Sequence, residues 1–253
     1  MKNKENIMVV KDSRYNNTKE FLEDTFSNFE KELHWKKKTN QHFDPLGDAE
    51  TESLHALMYD TMCAGSGGMG WDTIDTGESK FTNRAQPRKC NNCGQKNMFF
   101  LEECVKCGSN DLKTIKDSRW GISAKSHLEY LDEMIGYRLT VLEPTEYKPS
   151  CRSFRLRSYW IPTKDEYLTE YATRQYNSPK SNGINFLPFN RDFYRSSPRL
   201  HLDAIIDTNG VNITYFNPEN DVIETGPDRF YELTIKEIMD SKSFGKDRGI
   251  VTR

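Results

Sequence analysis

The chain has 253 residues, of which 35% are hydrophobic and 29% charged, and its formal net charge is −2 at pH 7. This length suffices for one large domain or two modest ones, and the near-zero charge excludes a histone-like polycation. No apolar run approaches the roughly 18 residues of a membrane helix, and the apolar run at 7–10 is too short for a signal peptide. We therefore expect a cytoplasmic protein with no membrane partner.

The first half of the chain predicts helices separated by short extended segments. Apolar residues recur at helical spacing over 17–38 and over 48–62, and a glycine-rich stretch at 65–68 ends the second helix. Residues 69–74 and 78–82 predict two strands joined by a hairpin turn at 75–77. A short strand at 112–115, a helix over 123–135 and a strand over 137–142 follow.

Four of the six cysteines form two Cys-x-x-Cys pairs, each followed by glycine and separated by ten residues: Cys90, Cys93, Cys104 and Cys107. Each pair brings two thiolates to one side of a metal ion, and the glycine permits the tight turn. Disulfides are the alternative, which a reducing compartment disfavours. Because four thiolates leave no coordination position for water, the pattern predicts a structural zinc ribbon at about 88–110.

The second half predicts mostly strands in a basic, aromatic-rich segment. Residues 151–161 alternate as a strand with one basic face, 202–206 and 211–216 predict a hairpin, and 234–239 predicts a last helix. Between 148 and 199, ten basic residues stand against four acidic ones. Arginines among aromatic residues suit contacts with phosphates and bases, whereas the alternative is a solvated basic face over an ordinary core. We expect DNA contacts from four arginines of this segment: Arg152, Arg155, Arg157 and Arg174.

Acidic-x-Lys triplets are candidates for metal-dependent phosphodiester hydrolysis, because residues two apart on a strand project from the same face. Four such triplets occur, about as many as chance predicts: Glu78–Lys80, Asp111–Lys113, Glu146–Lys148 and Asp240–Lys242. The first of them follows Asp72, which a turn would place opposite Glu78. Asp75 is a competing candidate for the metal-binding aspartate. It lies only three residues before Glu78, however, and this separation suits a turn better than a facing strand position.

The succession of a helix, a strand with Gly-x-Asp72, a strand with Glu78 and Lys80, a helix and a strand over 48–142 resembles the PD-(D/E)xK nuclease core. That superfamily includes most type II restriction endonucleases. The resemblance implies a mixed α/β fold in which Asp72 and Glu78 bind Mg²⁺ and Lys80 acts on the attacking water. It also implies that a glutamate of the preceding helix, Glu52 or Glu50, assists.

We expect three parts: an N-terminal helical segment (1–47), a nuclease core with the inserted zinc ribbon (48–147) and a strand-rich DNA-recognition part (148–253). The expected function is Mg²⁺-dependent, site-specific cleavage of double-stranded DNA by a type II restriction endonuclease. A symmetric homodimer is expected because cutting both strands usually requires two active sites.

Other functions explain fewer of these residues. A non-enzymatic zinc-ribbon DNA-binding or transcription-associated protein accounts for the cysteines and the basic segment, but it leaves Asp72, Glu78 and Lys80 as a coincidence. A His-Asn-His nuclease is disfavoured because ten residues between the cysteine pairs leave no room for its catalytic hairpin and helix. His201 is a minor catalytic candidate.

Overall fold

The computed structural model describes residues 13–65, 71–114, 119–178, 183–186, 193, 196, 198–218 and 223–224. The helices in these residues are α1 (Ser13–Thr25), α2 (Phe29–Thr39), α3 (Asp48–Met58), α4 (Ala124–Glu129) and α5 (Glu166–Tyr176). The strands are β1 (Gly77–Asn83), β2 (Arg88–Cys90), β3 (Lys96–Asn97), β4 (Leu112–Thr114), β5 (Trp120–Ser123), β6 (Gly136–Pro144), β7 (Phe154–Pro162), β8 (Gly183–Phe186), β9 (Arg199–Asp207), β10 (Gly210–Phe216) and β11 (Ile223–Glu224).

A six-stranded sheet in the order β1-β6-β7-β9-β10-β11 organises the fold. β1 runs parallel to β6, and each further pairing is antiparallel. A parallel pair requires a long crossover connection, which β2 to β5 and α4 supply here. The mixed α/β fold expected from the sequence is confirmed, and β1 lies at one edge of its sheet.

Each face of the sheet carries its own core because side chains alternate along the strands. Leu142, for example, faces the helices α1 to α3, whereas Val141 faces β5 and α5. The first core contains Leu22, Phe29, Leu33, Phe43, Leu54, Met58, Leu142, Phe154, Leu156 and Leu202. The second contains Trp120, Ile122, Tyr137, Leu139, Val141, Tyr159, Ile161, Leu168 and Phe193.

Three predicted helices differ from the structure in length. The helix expected over 48–62 is α3, which ends at Met58. The helix expected over 17–38 is two helices, α1 and α2, and Phe26 and Phe29 at the break between them both belong to the first core. The helix expected over 123–135 ends at Glu129, although Ser123 caps it by accepting a hydrogen bond from Ser126 N at 3.2 Å. α5 was not predicted, and the helix expected at 234–239 lies outside the described residues.

Residues 71–74, the described part of the strand expected over 69–74, do not form a strand. Residues 66–70 are not described, and Thr73 instead forms a single antiparallel bridge with Cys63. Two backbone hydrogen bonds flank that bridge, from Ala64 N to Asp72 O at 3.0 Å and from Ile74 N to Met62 O at 2.9 Å. Asp72 therefore lies on a bend that leads into β1.

The segment 88–114, named here the cysteine ribbon, forms a three-stranded sheet in the order β3-β2-β4. Asn40, at the end of α2, fixes the ribbon to the helices: its side chain donates to Lys96 O and accepts from Met98 N, both at 2.9 Å. Met98 and the two phenylalanines that follow it belong to the first core. The ribbon is thus packed against the rest of the protein.

Candidate active site

Asp72, Glu78 and Lys80 come together at the edge strand β1. Glu78 and Lys80 project from the same face of β1, where Lys80 Nζ forms an ion pair with Glu78 Oε1. Asp72 Oδ2 lies 3.9 Å from Lys80 Nζ and accepts a hydrogen bond from Ser79 N at 2.6 Å. One ammonium group therefore contacts both carboxylates. The three residues come together as expected, but Asp72 does so from a bend and not from the facing strand that the sequence predicted.

Glu52 approaches the same site from α3. Burial raises the pKa of Glu52, and the negative charges of Asp72 and Asp48 raise it further. Glu50 has a different role, because its Oε2 accepts a hydrogen bond from Gly47 N at 3.0 Å and so caps the first turn of α3. Of the two glutamates expected from the sequence, Glu52 is therefore the one whose charge interacts with those of Asp72 and Glu78.

The site concentrates negative charge in a partly buried place. Burial raises the pKa of Glu78, and the neighbouring Asp72 adds to this effect against the opposing influence of Lys80. Carboxylates close to one another favour a bound cation, which relieves their repulsion. Carboxylate oxygens are also the ligands that Mg²⁺ prefers, so the donor set of Asp72 and Glu78 fits this ion.

Asp75, the competing ligand, is engaged elsewhere. Its carboxylate forms an ion pair with the buried Arg138 and accepts a hydrogen bond from Thr73 Oγ1 at 2.6 Å. Burial alone would raise the pKa of Asp75, but the hydrogen bonds from Arg138 and Thr73 lower it. Both carboxylate oxygens of Asp75 thus have protein partners.

A buried polar chain supports β1 from the opposite face. His55, on α3, is fully buried, with its Nδ1 2.8 Å from Ser79 Oγ and its Nε2 2.8 Å from Thr140 Oγ1. Thr140 Oγ1 lies 2.6 Å from Ser158 Oγ on β7. Burial holds the pKa of His55 well below its usual value, so the ring is neutral. This chain connects α3 with three neighbouring strands beneath the site; the sequence signal, a lone histidine on a helix, did not point to it.

The four paired cysteines gather at one point, as predicted. Their ligand atoms all lie within 4.8 Å of one another, and none of these cysteines forms a disulfide. Sγ of Cys90 lies 3.6 Å from Sγ of Cys107, and Sγ of Cys93 lies 3.5 Å from Sγ of Cys104. Tetrahedral zinc with Zn–S bonds of about 2.3 Å separates its sulfurs by about 3.8 Å, so the cluster can hold such an ion.

The glycines after the cysteine pairs have the conformation that tight turns require. Gly94 has φ of 75° and Gly108 has φ of 68°, a region that residues with a Cβ rarely adopt. A search of the described residues for three or more His, Cys, Asp or Glu side chains whose ligand atoms all lie within 4.8 Å of one another finds these four cysteines.

Two of the arginines expected to contact DNA lie within the sheet. Arg155 donates from Nε to Asp203 Oδ1 at 2.7 Å, and Arg157, only 3% exposed, pairs with Glu143 at 2.5 Å. β7 does alternate as predicted, but its basic face meets acidic residues of β6 and β9. A phosphate contact by either guanidinium would require these ion pairs to open, and such contacts stay a prediction.

The other two expected arginines lie at the surface, and His201 does not. Arg152 is exposed in the loop before β7, and Arg174 is exposed near the end of α5, 3.7 Å from Glu170. His201 is buried, and its Nδ1 lies 2.6 Å from the Tyr59 hydroxyl. Burial, aided by Arg199 and Arg138, lowers the pKa of His201 to about 4, which leaves the ring neutral.

The model of the MamI restriction endonuclease family matches residues 34–229. The chain belongs to the MamI restriction endonuclease family. No curated protein and no solved structure shows significant similarity to the chain.

Membership of the MamI family makes the chain a restriction endonuclease with DNA as its substrate. The matched region contains the carboxylates at β1, the cysteine ribbon and all four candidate arginines. The family therefore favours a nuclease over a non-enzymatic zinc-ribbon binder. Within the described residues, no helix combines the length and apolar composition required to cross a bilayer.

Proposed function

We propose that the chain is a Mg²⁺-dependent type II restriction endonuclease of the PD-(D/E)xK superfamily that cleaves double-stranded DNA at a specific sequence. The observation that carries the proposal is the contact of Lys80 Nζ, on the edge strand β1, with the carboxylates of both Asp72 and Glu78. Because β1 is the edge strand of the described six-stranded sheet, no strand of that sheet pairs with its outer side.

Asp72 and Glu78 would hold the Mg²⁺ ion, with Glu52 assisting from α3. Bound there, the ion would lower the pKa of a water ligand and screen the charge of the scissile phosphate. Lys80 would orient the attacking water or stabilise the negative charge that develops on the phosphate. Because Lys80 lies on the same face of β1 as Glu78, both groups can act on one water molecule.

Zinc would have a structural role in the cysteine ribbon. Four thiolates fill a tetrahedral coordination sphere and leave no position for a reacting water. A bound ion would stabilise a segment whose three short strands bury few apolar side chains of their own.

For DNA contact we propose the exposed arginines, Arg152 and Arg174, ahead of the less exposed Arg155 and Arg157, whose ion pairs lie within the sheet. A homodimer would supply the second active site required to cut the opposite strand. The protein would act in the cytoplasm, where it meets foreign DNA.

Incubation of the purified protein with plasmid or phage DNA tests the proposal. Discrete fragments that require Mg²⁺ are the expected result, and a chelator should prevent their formation. A smear would indicate a nuclease without sequence specificity, and intact DNA that is nevertheless bound would favour the non-enzymatic zinc-ribbon protein. Light scattering with and without DNA measures whether the protein is a dimer.

A further inference from the structure

The turn at residues 73–77 connects Asp72 with β1 and so determines how far Asp72 lies from Glu78. Thr73 N donates to Gly77 O at 3.3 Å, and Thr76 N donates to Thr73 O at 3.0 Å. Thr73 Oγ1 lies 3.1 Å from Gly77 O, and Thr76 has φ of 64°. The turn is thus closed by its own backbone hydrogen bonds and by the Thr73 hydroxyl, which also lies 2.6 Å from Asp75 Oδ1.

Arg138 of the neighbouring strand β6 enters this turn. Its Nη1 donates to Thr73 Oγ1 at 2.7 Å and to Asp75 Oδ1 at 3.1 Å, while Nη2 pairs with Asp75 Oδ2. The planar guanidinium fork makes these bonds from two coplanar nitrogens, a bidentate geometry that the single nitrogen of an ammonium group does not reproduce. Arg138 is also the register partner of Ser79, whose N–H holds the Asp72 carboxylate.

The guanidinium is itself held in place. The Arg138 side chain is 2% exposed, and its Cζ lies 4.2 Å from the centre of the Tyr59 ring and 5.6 Å from that of the Trp160 ring. A Cβ built on Gly77 would lie only 2.5 Å from Arg138 Nη1. The close approach of the turn to Arg138 therefore depends on glycine at position 77.

We propose that Arg138 and Asp75 are positioning residues of the nuclease site. They lock the 73–77 turn so that Asp72 stays beside Glu78 and Lys80 in the arrangement that binds Mg²⁺. Asp75 is thus not a metal ligand, although its position in the sequence makes it a competitor for that role. The inference rests on the proposed function of Asp72 and Glu78 as Mg²⁺ ligands.

Calorimetric titration of the DNA-free protein with Mg²⁺ tests this role without relying on cleavage. Asp75→Asn should weaken Mg²⁺ binding by about 10- to 100-fold, the usual effect of losing a group that orients a metal ligand. The matched control is Asp203→Asn, which makes the same change in another bidentate arginine pair, that of Arg155 between β7 and β9. Its Mg²⁺ affinity should equal that of the wild type, with circular dichroism showing that both variants are folded.

Arg138→Lys separates positioning from charge. Lysine keeps the positive charge but cannot bond Thr73 and Asp75 in the same way, so Mg²⁺ binding should weaken as in Asp75→Asn. Cleavage by both variants should recover with excess Mg²⁺, whereas Asp72→Ala should not recover. If Arg138→Lys or Asp75→Asn binds Mg²⁺ like the wild type, the positioning role is wrong.

Two further results have distinct meanings. If Asp75→Asn loses Mg²⁺ binding entirely while Asp72→Ala retains it, Asp75 is the ligand and the proposal is overturned. If the wild-type protein binds Mg²⁺ but leaves every DNA intact, the proposed nuclease function fails, while the calorimetric comparison still decides the roles of Arg138 and Asp75.

Discussion

Replacement of Lys80 by methionine removes an ammonium group that contacts two carboxylates. At the 3.9 Å between Lys80 Nζ and Asp72 Oδ2, Coulomb's law with an effective dielectric constant of about 20 gives an attraction of about 4 kcal/mol. Solvent screening reduces this value, because the two side chains are 30% and 22% exposed, and ordering of the lysine chain reduces it further. We expect a net loss of about 1–2 kcal/mol in the free energy of unfolding, or roughly 2–8 °C in Tm.

The loss should depend on pH and on Mg²⁺. Without Lys80, the already raised pKa of Glu78 rises further, so the folded state binds this proton more tightly than the unfolded state does. Stability of the variant should therefore fall as the pH rises through the pKa of Glu78. Mg²⁺ should stabilise the variant more than the wild type, because the ion replaces the missing positive charge.

Thermal unfolding by circular dichroism, with and without Mg²⁺, measures these effects. The control is Lys125→Met, which removes an exposed ion pair with Glu129 and should change stability by less than about 0.5 kcal/mol. Equal changes in Tm for the two variants, or a Mg²⁺ effect no larger than in the wild type, would refute the electrostatic reasoning. Cleavage by Lys80→Met should fall by about 10²-fold or more.

Three further predictions concern other parts of the protein. Glu78→Gln should abolish cleavage without lowering Tm at neutral pH, because burial disfavours the ionised carboxylate; a large drop in Tm would contradict this. Metal analysis should find about one zinc per chain, and Cys104→Ser should reduce both the zinc content and Tm, whereas a metal-free protein with the same Tm would exclude structural zinc. Arg174→Ala should weaken DNA binding and reduce the slope of log K against log salt by about one, and an unchanged slope would remove Arg174 from the interface.

Local patterns predicted much of the site. The two-residue period of β1 places Glu78 and Lys80 on one face, and the short spacing to Asp72 requires a turn that brings its carboxylate back to the strand. The Cys-x-x-Cys pairs predicted the gathered sulfurs for the same reason, since each pair is a single local turn. Contacts between residues close in the chain can be inferred without knowing the strand order.

Contacts across the sheet could not be inferred in this way. The alternation of β7 was predicted, but the direction of its basic face depends on Glu143 in β6 and Asp203 in β9, which the strand order places next to Arg157 and Arg155. Arg138 was missed for a similar reason, because its partner Asp75 lies 63 residues earlier in the chain. A charged residue inside a strand gives no local signal of the loop that it will contact.

The central claim is that Asp72 and Glu78 form the nuclease site. The most direct test compares Mg²⁺-dependent cleavage of the same DNA by three proteins: the wild type, Asp72→Ala and Asp111→Ala. Asp111 is an exposed carboxylate of the cysteine ribbon that accepts a hydrogen bond from Asn91 at 2.8 Å, so its loss makes the same chemical change away from β1. We predict discrete fragments from the wild type and Asp111→Ala, and intact but still bound DNA from Asp72→Ala. Normal cleavage by Asp72→Ala would contradict the account and place the nuclease site elsewhere.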